Sequence, residues 1–323
     1  MPIGLGFQRN HQRIGYRVKY FYYFFRRRDL LQKKTSYGKN NKDKIYYVVK
    51  PDYQDGVEGL LSLLYRQMIY INYAVDKGYI PFVDWKNFKT QYSDKVTNAW
   101  NYFFKQPYEV DEKDVYKSKN VYISGWTFKN LNPNGLFSSS VFFDKKLRKE
   151  CASIFKRFMI FSDEIIEMVD FESENLQIDN CIGVYVRGTD YVKLRPSGEY
   201  VQPSAEQVKA KIRKFVQMYN SPIFLVTEDG NIFDDIKQEF EDRLRTVSFD
   251  SYIRDYKGND VLSKSNVLDS DKKSRGQKYL VKMILLAKCK YIISSMTQGS
   301  KFSYILNDGK YMDECIFNLG LYP

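Results

Sequence analysis

The stretch Cys181-Ile-Gly-Val-Tyr-Val-Arg-Gly-Thr-Asp190 joins a short apolar, β-branched run to an arginine, a glycine, a hydroxyl and a carboxylate. Such a run reads as a buried strand. Its polar end marks the position where α/β proteins carry function, at the carboxyl edge of the sheet. Outward from this segment the second half alternates regularly. Strands are expected at Asn180 to Arg187, Ile223 to Thr227, Arg245 to Phe249 and Tyr291 to Ser294. Helices are expected near Ala205 to Tyr219, Ile232 to Phe240 and Gly276 to Lys288, and from Ser300 onward. Strands alternating with helices imply a doubly wound parallel sheet.

The first half carries a shorter version of the same pattern. Ile45 to Val49 reads as a strand, and a glycine loop with Gly56 and Gly59 follows. A helix begins at Leu60, and Ile80 to Trp85 forms the next strand of a βαβ unit. The glycine loop stands at a helix N-terminus, where backbone amides favour phosphate, although two glycines alone are a weak signal. Val121 to Gly125 reads as a further strand, and apolar spacing from Phe143 to about Phe171 predicts one long helix or two consecutive ones. The expected organisation is a basic aromatic segment at 1–44 and a Rossmann-like domain at 45–142. A helical connection at 143–175 leads to a second Rossmann-like domain at 176–323.

A chain of 323 residues exceeds what one core usually supports, which favours two domains. Cys151, Cys181, Cys289 and Cys315 are widely separated, so neither a zinc site nor a disulfide framework is suggested, and a reducing cytoplasm fits. No apolar run is long enough to span a bilayer. Lysine and arginine number 51 against 39 acids, which favours polyanionic partners. Much of the excess lies early, at Arg9, Arg13, Arg17, Lys19, Arg26 to Arg28, Lys33 and Lys34. With the aromatic run Tyr20 to Phe25, residues 9–34 suit either an anionic membrane interface or a helix packed on the domain with a solvated basic face. A nucleic-acid-binding protein is the rival from another class, motivated by the net charge of +12. Basic and aromatic residues are not interleaved in any recognised nucleic-acid motif, so no nucleic-acid partner is expected.

Three strand ends converge on one expected edge. At the first, Arg187 offers a planar guanidinium for diphosphate oxygens, Gly188 permits close backbone approach, and Asp190 orients the arginine; a plain Arg187–Asp190 ion pair is the alternative. At the second, Thr227, Glu228 and Asp229 could bind a ribose or cap the following helix. At the third, Ser295, Thr297 and Ser300 could bind phosphate or cap a helix. Trp100, Tyr102 and Phe103 could stack on a sugar ring or, more commonly for such residues, belong to the aromatic core.

The order IGVYVRGTDY, then IFLVTEDG, then SRGQKYLVKMILLAKCKYIISSMTQGS resembles the GDP-fucose-dependent fucosyltransferases of the α1,6 and peptide-O types, with their bacterial nodulation-factor relatives, and the stretch GYIPFVDWK followed by NAWNYFFKQP looks like the N-terminal domains of bacterial surface-polysaccharide transferases in this group. The resemblance covers roughly Ile182 to Leu306. It implies a GT-B-like α/β fold, two Rossmann-like doubly wound domains facing across a cleft, and donor binding with no metal ion or other cofactor. In that family a His-Val-Arg-Arg-Thr-Asp-like element grips the donor diphosphate, and Arg187 occupies its first-arginine position. Tyr185 stands for the family histidine that helps hold guanine, and Gly188 stands for the second arginine. Val226 to Asp229 match an Ala-Thr-Asp-Asp element, Ser295 to Ser300 approximate a serine-containing loop, and Arg275 falls in the matched segment on the donor side.

The single histidine, His11, lies in the basic opening segment, which excludes a histidine base. The expected reaction is inverting transfer, with Arg187 stabilising the departing diphosphate and Asp190 or Glu199 accepting the acceptor's proton. The expected partners are a nucleotide-sugar donor and a glycan or lipid-linked oligosaccharide acceptor. A transferase of the same fold using another sugar nucleotide is the closest alternative reading.

Overall fold

The computed structural model describes residues 17–53, 56–254, 256–258 and 271–323. Arg9, His11 and Arg13 lie outside the described residues. The chain divides into two compact units. One comprises residues 1–58, 62–136 and 154–160, and the other residues 59–61, 137–153 and 161–323.

The first unit is built on a four-stranded sheet of β1 (Lys33–Thr35), β2 (Tyr46–Val49), β3 (Ile80–Val83) and β4 (Val121–Ile123), in the order β1-β4-β2-β3. Strands β2, β3 and β4 run parallel, as the βαβ reading requires, and helix α1 (Leu60–Asp76) connects β2 to β3. All four residues of β2 are buried, which accounts for its continuous apolar run. One face of the sheet packs Tyr46, Val48, Phe82, Val115 and Val121 together. Strand β1 falls within the 1–44 segment that the sequence reading sets apart from the domain. It pairs antiparallel with β4, from Lys33 opposite Ile123 to Thr35 opposite Val121, and blunts the sheet edge with lysines. Its Lys-Lys-Thr sequence has neither alternation nor an apolar run, so periodicity could not reveal it.

The second unit is a five-stranded, wholly parallel sheet of β5 (Ile182–Tyr185), β6 (Ile223–Val226), β7 (Leu244–Arg245), β8 (Tyr291–Ser295) and β9 (Asp313–Phe317), in the order β7-β6-β5-β8-β9. From β5 the chain winds outward through β6 and β7, then returns to the other side of β5 with β8 and β9. The order therefore reverses between β5 and β8, the position where doubly wound sheets open a ligand crevice. Helices α2 (Lys145–Phe158) and α3 (Asp163–Leu176) precede β5. They are separate because Ser162 caps α3, accepting the Ile165 amide proton at 3.4 Å, with Asp163 and Glu164 favourable in its first turn. The second helix of the expected 143–175 connection is part of the second unit. Helix α4 (Thr189–Leu194) follows β5, and α5 (Ala205–Tyr219) leads to β6. Helix α6 (Gly230–Phe240) follows β6, α7 (Lys272–Lys288) precedes β8, and α8 (Gln298–Asn307) lies between β8 and β9.

One core of this unit joins Ile182, Val184, Ile223, Leu225 and Ile293 of the sheet to Val208, Ile212 and Phe215 of α5 and Ile236 of α6. Against the other face α7 lies very close. A Cβ on Gly183 would meet Leu286 Cδ1 at 2.7 Å and Cys289 Sγ at 2.9 Å. Burial raises the thiol pKa of Cys289, and that of Cys181 to about 11. The glycine in the β5 run thus sets the approach of helix to sheet. Gly183→Ala is expected to destabilise the protein by about 1–3 kcal/mol through overpacking, read as a lowered denaturation midpoint with an unchanged denaturant slope.

Candidate functional site in the second unit

Register brings the three expected strand ends level. Tyr185 pairs with Val226 on one side and with Ser294 on the other, so the residues after β5, β6 and β8 emerge side by side at the carboxyl edge. The turn after β5 is held by one carboxylate. Asp229 Oδ1 accepts the amide protons of Asn231 and Ile232 at 3.0 and 3.1 Å, capping α6. Its Oδ2 accepts from the Thr189 amide at 2.7 Å and from Thr189 Oγ1 at 3.2 Å. Thr189 is thereby held in the left-handed region at φ 43°, uncommon for a branched residue. A Cβ on Gly188 would lie 2.5 Å from Asp229 Oδ2. The freedom that the sequence reading gave to an approaching ligand at Gly188 is thus taken by Asp229. Asp229 itself, expected to contact the donor, has its acceptor positions occupied by the protein.

Arg187 leaves the sheet beside this turn. Its Nη2 donates to Asp190 Oδ2 at 3.0 Å, and its guanidinium carbon lies 3.9 Å from the ring centroid of Tyr191. Its Nε is shielded from solvent and has no hydrogen-bond partner among the described residues. Burial opposes the charge, but Tyr191, Asp190 and Glu228 outweigh it and hold the guanidinium protonated above its usual value. Asp190 is fully buried, with Oδ1 accepting from the Tyr191 amide at 3.0 Å. It orients the arginine as expected, but a carboxylate so enclosed and engaged cannot take a proton from a substrate. Glu199 is partly exposed, and its charge acts on Tyr191 and on Lys301.

Next to Arg187 lies a pocket whose walls carry Tyr185, Tyr279 and Phe249. Thr227, Glu228 and Ser251 supply its polar lining, and Arg275, Lys278 and Lys282 line it from α7. Lys282 forms an ion pair with Asp250, whose Oδ2 also accepts from the Tyr252 hydroxyl at 3.0 Å. Glu228 Oε1 is buried without a hydrogen-bond partner among the described residues, and burial, opposed by Arg187, pushes this carboxyl up to about 7. The adjacent acids Glu228 and Asp229 therefore differ sharply: one is a structural cap, the other a pocket carboxyl that titrates near neutrality. The pocket wall is tight at Gly299, where a Cβ would meet Tyr185 Cε1, Tyr279 Oη and Met283 Sδ, each at 2.7 Å.

The third strand end differs from the phosphate-binding expectation. Thr297 and Ser300 form a capping box on α8, and Ser295 Oγ donates to Gln202 at 2.6 Å. Ser300 Oγ also bonds the Ser295 carbonyl, and Ser295 and Ser300 are fully buried. These hydroxyls are engaged within the protein, Thr297 and Ser300 as caps and Ser295 with Gln202. In the first unit Trp100 is fully buried, edge-on to Trp85 at 5.3 Å with Nε1 donating to the Lys105 carbonyl at 3.1 Å. It is core and offers no face to an acceptor. Tyr102 is partly exposed and bonds Asp94 through its hydroxyl. Gly56 adopts φ 73° in the loop before α1, and space around Gly59 is open.

Sequence reasoning missed Tyr191, Tyr279, Phe249, Ser251, Lys278 and Lys282. Of these, Lys278, Tyr279 and Lys282, with Arg275, recur at one-turn spacing along α7, the only signal available. It also missed Lys301, nearly buried in α8, whose Nζ donates to the Phe137 carbonyl at 2.6 Å and whose pKa burial lowers to about 8. Among the described residues no cluster of His, Cys, Asp or Glu is arranged to hold a metal. The arrangement offers aromatic faces to a planar ring and several cations, with an oriented arginine alongside, to an anion.

No protein-family model matches the sequence, and no curated protein matches it. Among solved structures, the chain is similar to NodZ α-1,6-fucosyltransferase from a crystal soaked with GDP-fucose. The identity is 18%, 81% of this chain and 93% of that chain are covered, and the TM-score is 0.50. It is also similar to the fucosyltransferase NodZ from Bradyrhizobium, at 17% identity over 81% of this chain and 93% of that one, with a TM-score of 0.48. POFUT1 in complex with GDP-fucose matches at 8% identity over 87% and 99% of the two chains, with a TM-score of 0.48. The first of these likenesses bears out the α/β fold that the sequence resemblance implied.

Glu228 yields a test with a definite sign. Its folded pKa is raised above the ordinary carboxylate value, so its contribution is most favourable at acid pH and is lost as pH rises through about 7. Glu228→Gln, which cannot ionise, is expected to gain about 1–3 kcal/mol relative to wild type on going from pH 5 to pH 8. Denaturant titrations of both proteins at the two pH values check this; a difference independent of pH would contradict the assignment.

Proposed function

We propose that the protein is a glycosyltransferase that takes fucose from GDP-fucose and passes it to a glycan or a lipid-linked oligosaccharide in bacterial surface-polysaccharide synthesis. The observation that carries this reading is Arg187, oriented by Asp190 and Tyr191 at the end of β5 beside a pocket of aromatic and cationic side chains. The fold shared with a fucosyltransferase whose crystal was soaked with GDP-fucose supports it.

In this reading the pocket holds the nucleotide. Tyr185, Tyr279 and Phe249 enclose the base, and Arg275 and Lys278 face the phosphates. The acceptor hydroxyl attacks the anomeric carbon with inversion as the GDP diphosphate departs. Arg187 meets the charge developing on the leaving oxygens with a guanidinium fixed before the reaction begins, which is where electrostatic stabilisation is most effective. These cations supply the charge that a metal ion would bring, so activity should survive chelation. With Asp190 enclosed, Glu199 is the remaining candidate to accept the acceptor's proton. The protein acts in the cytoplasm, at the inner face of the membrane where a lipid-linked acceptor would be presented.

A second reading, another sugar nucleotide on the same fold, draws support from two positions. Tyr185 stands where the resembled family has histidine, and Gly188, closed off by Asp229, cannot be replaced by that family's second arginine without displacing the carboxylate. Calorimetric titration with GDP, UDP and GDP-fucose in the presence of EDTA separates the readings. GDP and GDP-fucose should bind in preference to UDP, and Arg187→Ala should weaken binding at least about a hundredfold through loss of charge-assisted contacts. Preference for UDP would favour the second reading, and absence of binding to any nucleotide by folded wild type would overturn both.

A further inference from the structure

Residues 17–26 are helical, and the helix turns its apolar stripe away from the protein. Val18, Phe21, Tyr22 and Phe25 follow the i, i+3, i+4, i+7 spacing and fall within an arc of about 100°. They are 63%, 52%, 59% and 73% exposed. The opposite side holds the helix to the first unit. Tyr23 meets Trp126 edge-on at 5.0 Å, and Tyr20 meets Phe128 edge-on at 5.6 Å. An amphipathic helix normally buries its apolar stripe against the domain. Here aromatic residues fill both sides, and the four side chains of the stripe, with Phe24 beside them, project into solvent.

The charge around the stripe is almost wholly positive. Arg17 and Lys19 flank it at one end and Arg26 and Arg28 at the other, with Lys33 and Lys34 exposed on the neighbouring strand β1. The one acid between residues 17 and 34, Asp29, is paired with Arg27 at 2.9 Å. Phe128, itself 44% exposed, extends the patch beyond the helix.

We infer that this helix and Phe128 form a docking surface for an anionic phospholipid bilayer. Phe21, Tyr22 and Phe25 enter the headgroup–acyl boundary, and the flanking cations meet lipid phosphates. Among the described residues no helix is long and apolar enough to span a membrane, so the attachment is lateral and reversible. The surface lies in the first unit and stands independently of the transfer chemistry proposed above. Each basic residue near an anionic surface raises partitioning about fivefold, so both the aromatic stripe and its charged rim contribute measurably.

The test is vesicle co-sedimentation of the full chain, with phosphatidylcholine alone and with phosphatidylcholine containing one third phosphatidylglycerol. Binding is expected only to the second, weakening steeply at high salt. The double variant Phe21→Ser/Phe25→Ser and the double variant Arg26→Gln/Arg28→Gln should each lose about tenfold or more in partitioning. Both variants change exposed side chains, and unaltered thermal unfolding shows that the fold is intact. Absence of binding, equal binding to both vesicles, or binding unaffected by the variants would overturn the inference. So would a concentration-dependent dimer that the aromatic variant abolishes without any effect on lipid, because the stripe would then be covered by a second copy.

Discussion

A single carboxylate organises the carboxyl edge of the second unit's sheet. Asp229 accepts four hydrogen bonds, two from the first turn of α6 and two from Thr189. Hydrogen bonds to an ionised acceptor are roughly twice as strong as neutral ones, and here they join the turns after two adjacent strands. They stabilise a left-handed threonine, and they fill the space that any side chain at position 188 would need. With Gly188 and Thr189 fixed, the residues on either side, Arg187 and Asp190, are held so that they pair. The placement of Arg187 thus descends from a helix cap on a neighbouring element.

The division of labour between Glu228 and Asp229 shows how far the sequence could be read. Both were visible as acids at a strand end, and the expectation that they converge with Arg187 rests on the alternation of short apolar runs with helices. Such runs leave few alternatives when a parallel strand is buried on both faces. Which acid would cap and which would face the pocket depends on the direction each side chain takes after β6, and adjacent carboxylates carry no local signal for that. The same limit explains Thr297 and Ser300. A hydroxyl before a helix suits phosphate binding and capping equally well, and the bonds from the Ser300 amide to Thr297 Oγ1 and from the Ser300 hydroxyl to the Ser295 carbonyl fix the answer only in three dimensions.

Other parts of the site were not legible because they depend on long-range return of the chain. Phe249 and Ser251 reach the pocket because the segment after β7 comes back alongside the Asp229 turn, where the Ile253 amide donates to the Glu228 carbonyl at 2.8 Å. No periodicity marks that segment. The aromatic residues were similarly ambiguous by type alone. Trp100 is core, Tyr191 supports a guanidinium, and the Phe21–Phe25 stripe faces solvent, three fates for one class of side chain that offers large apolar area in every setting.

The closeness of α7 to β5 also gives the second unit a built-in chemical clock. Cys181 and Cys289 sit on either side of that contact, both buried, and burial suppresses their thiolate forms. An alkylating reagent can reach them only when helix and sheet part. Their modification rate therefore counts openings of the parallel sheet, without an introduced label, and measures how often the scaffold beneath the site comes undone while the rest of the population remains folded.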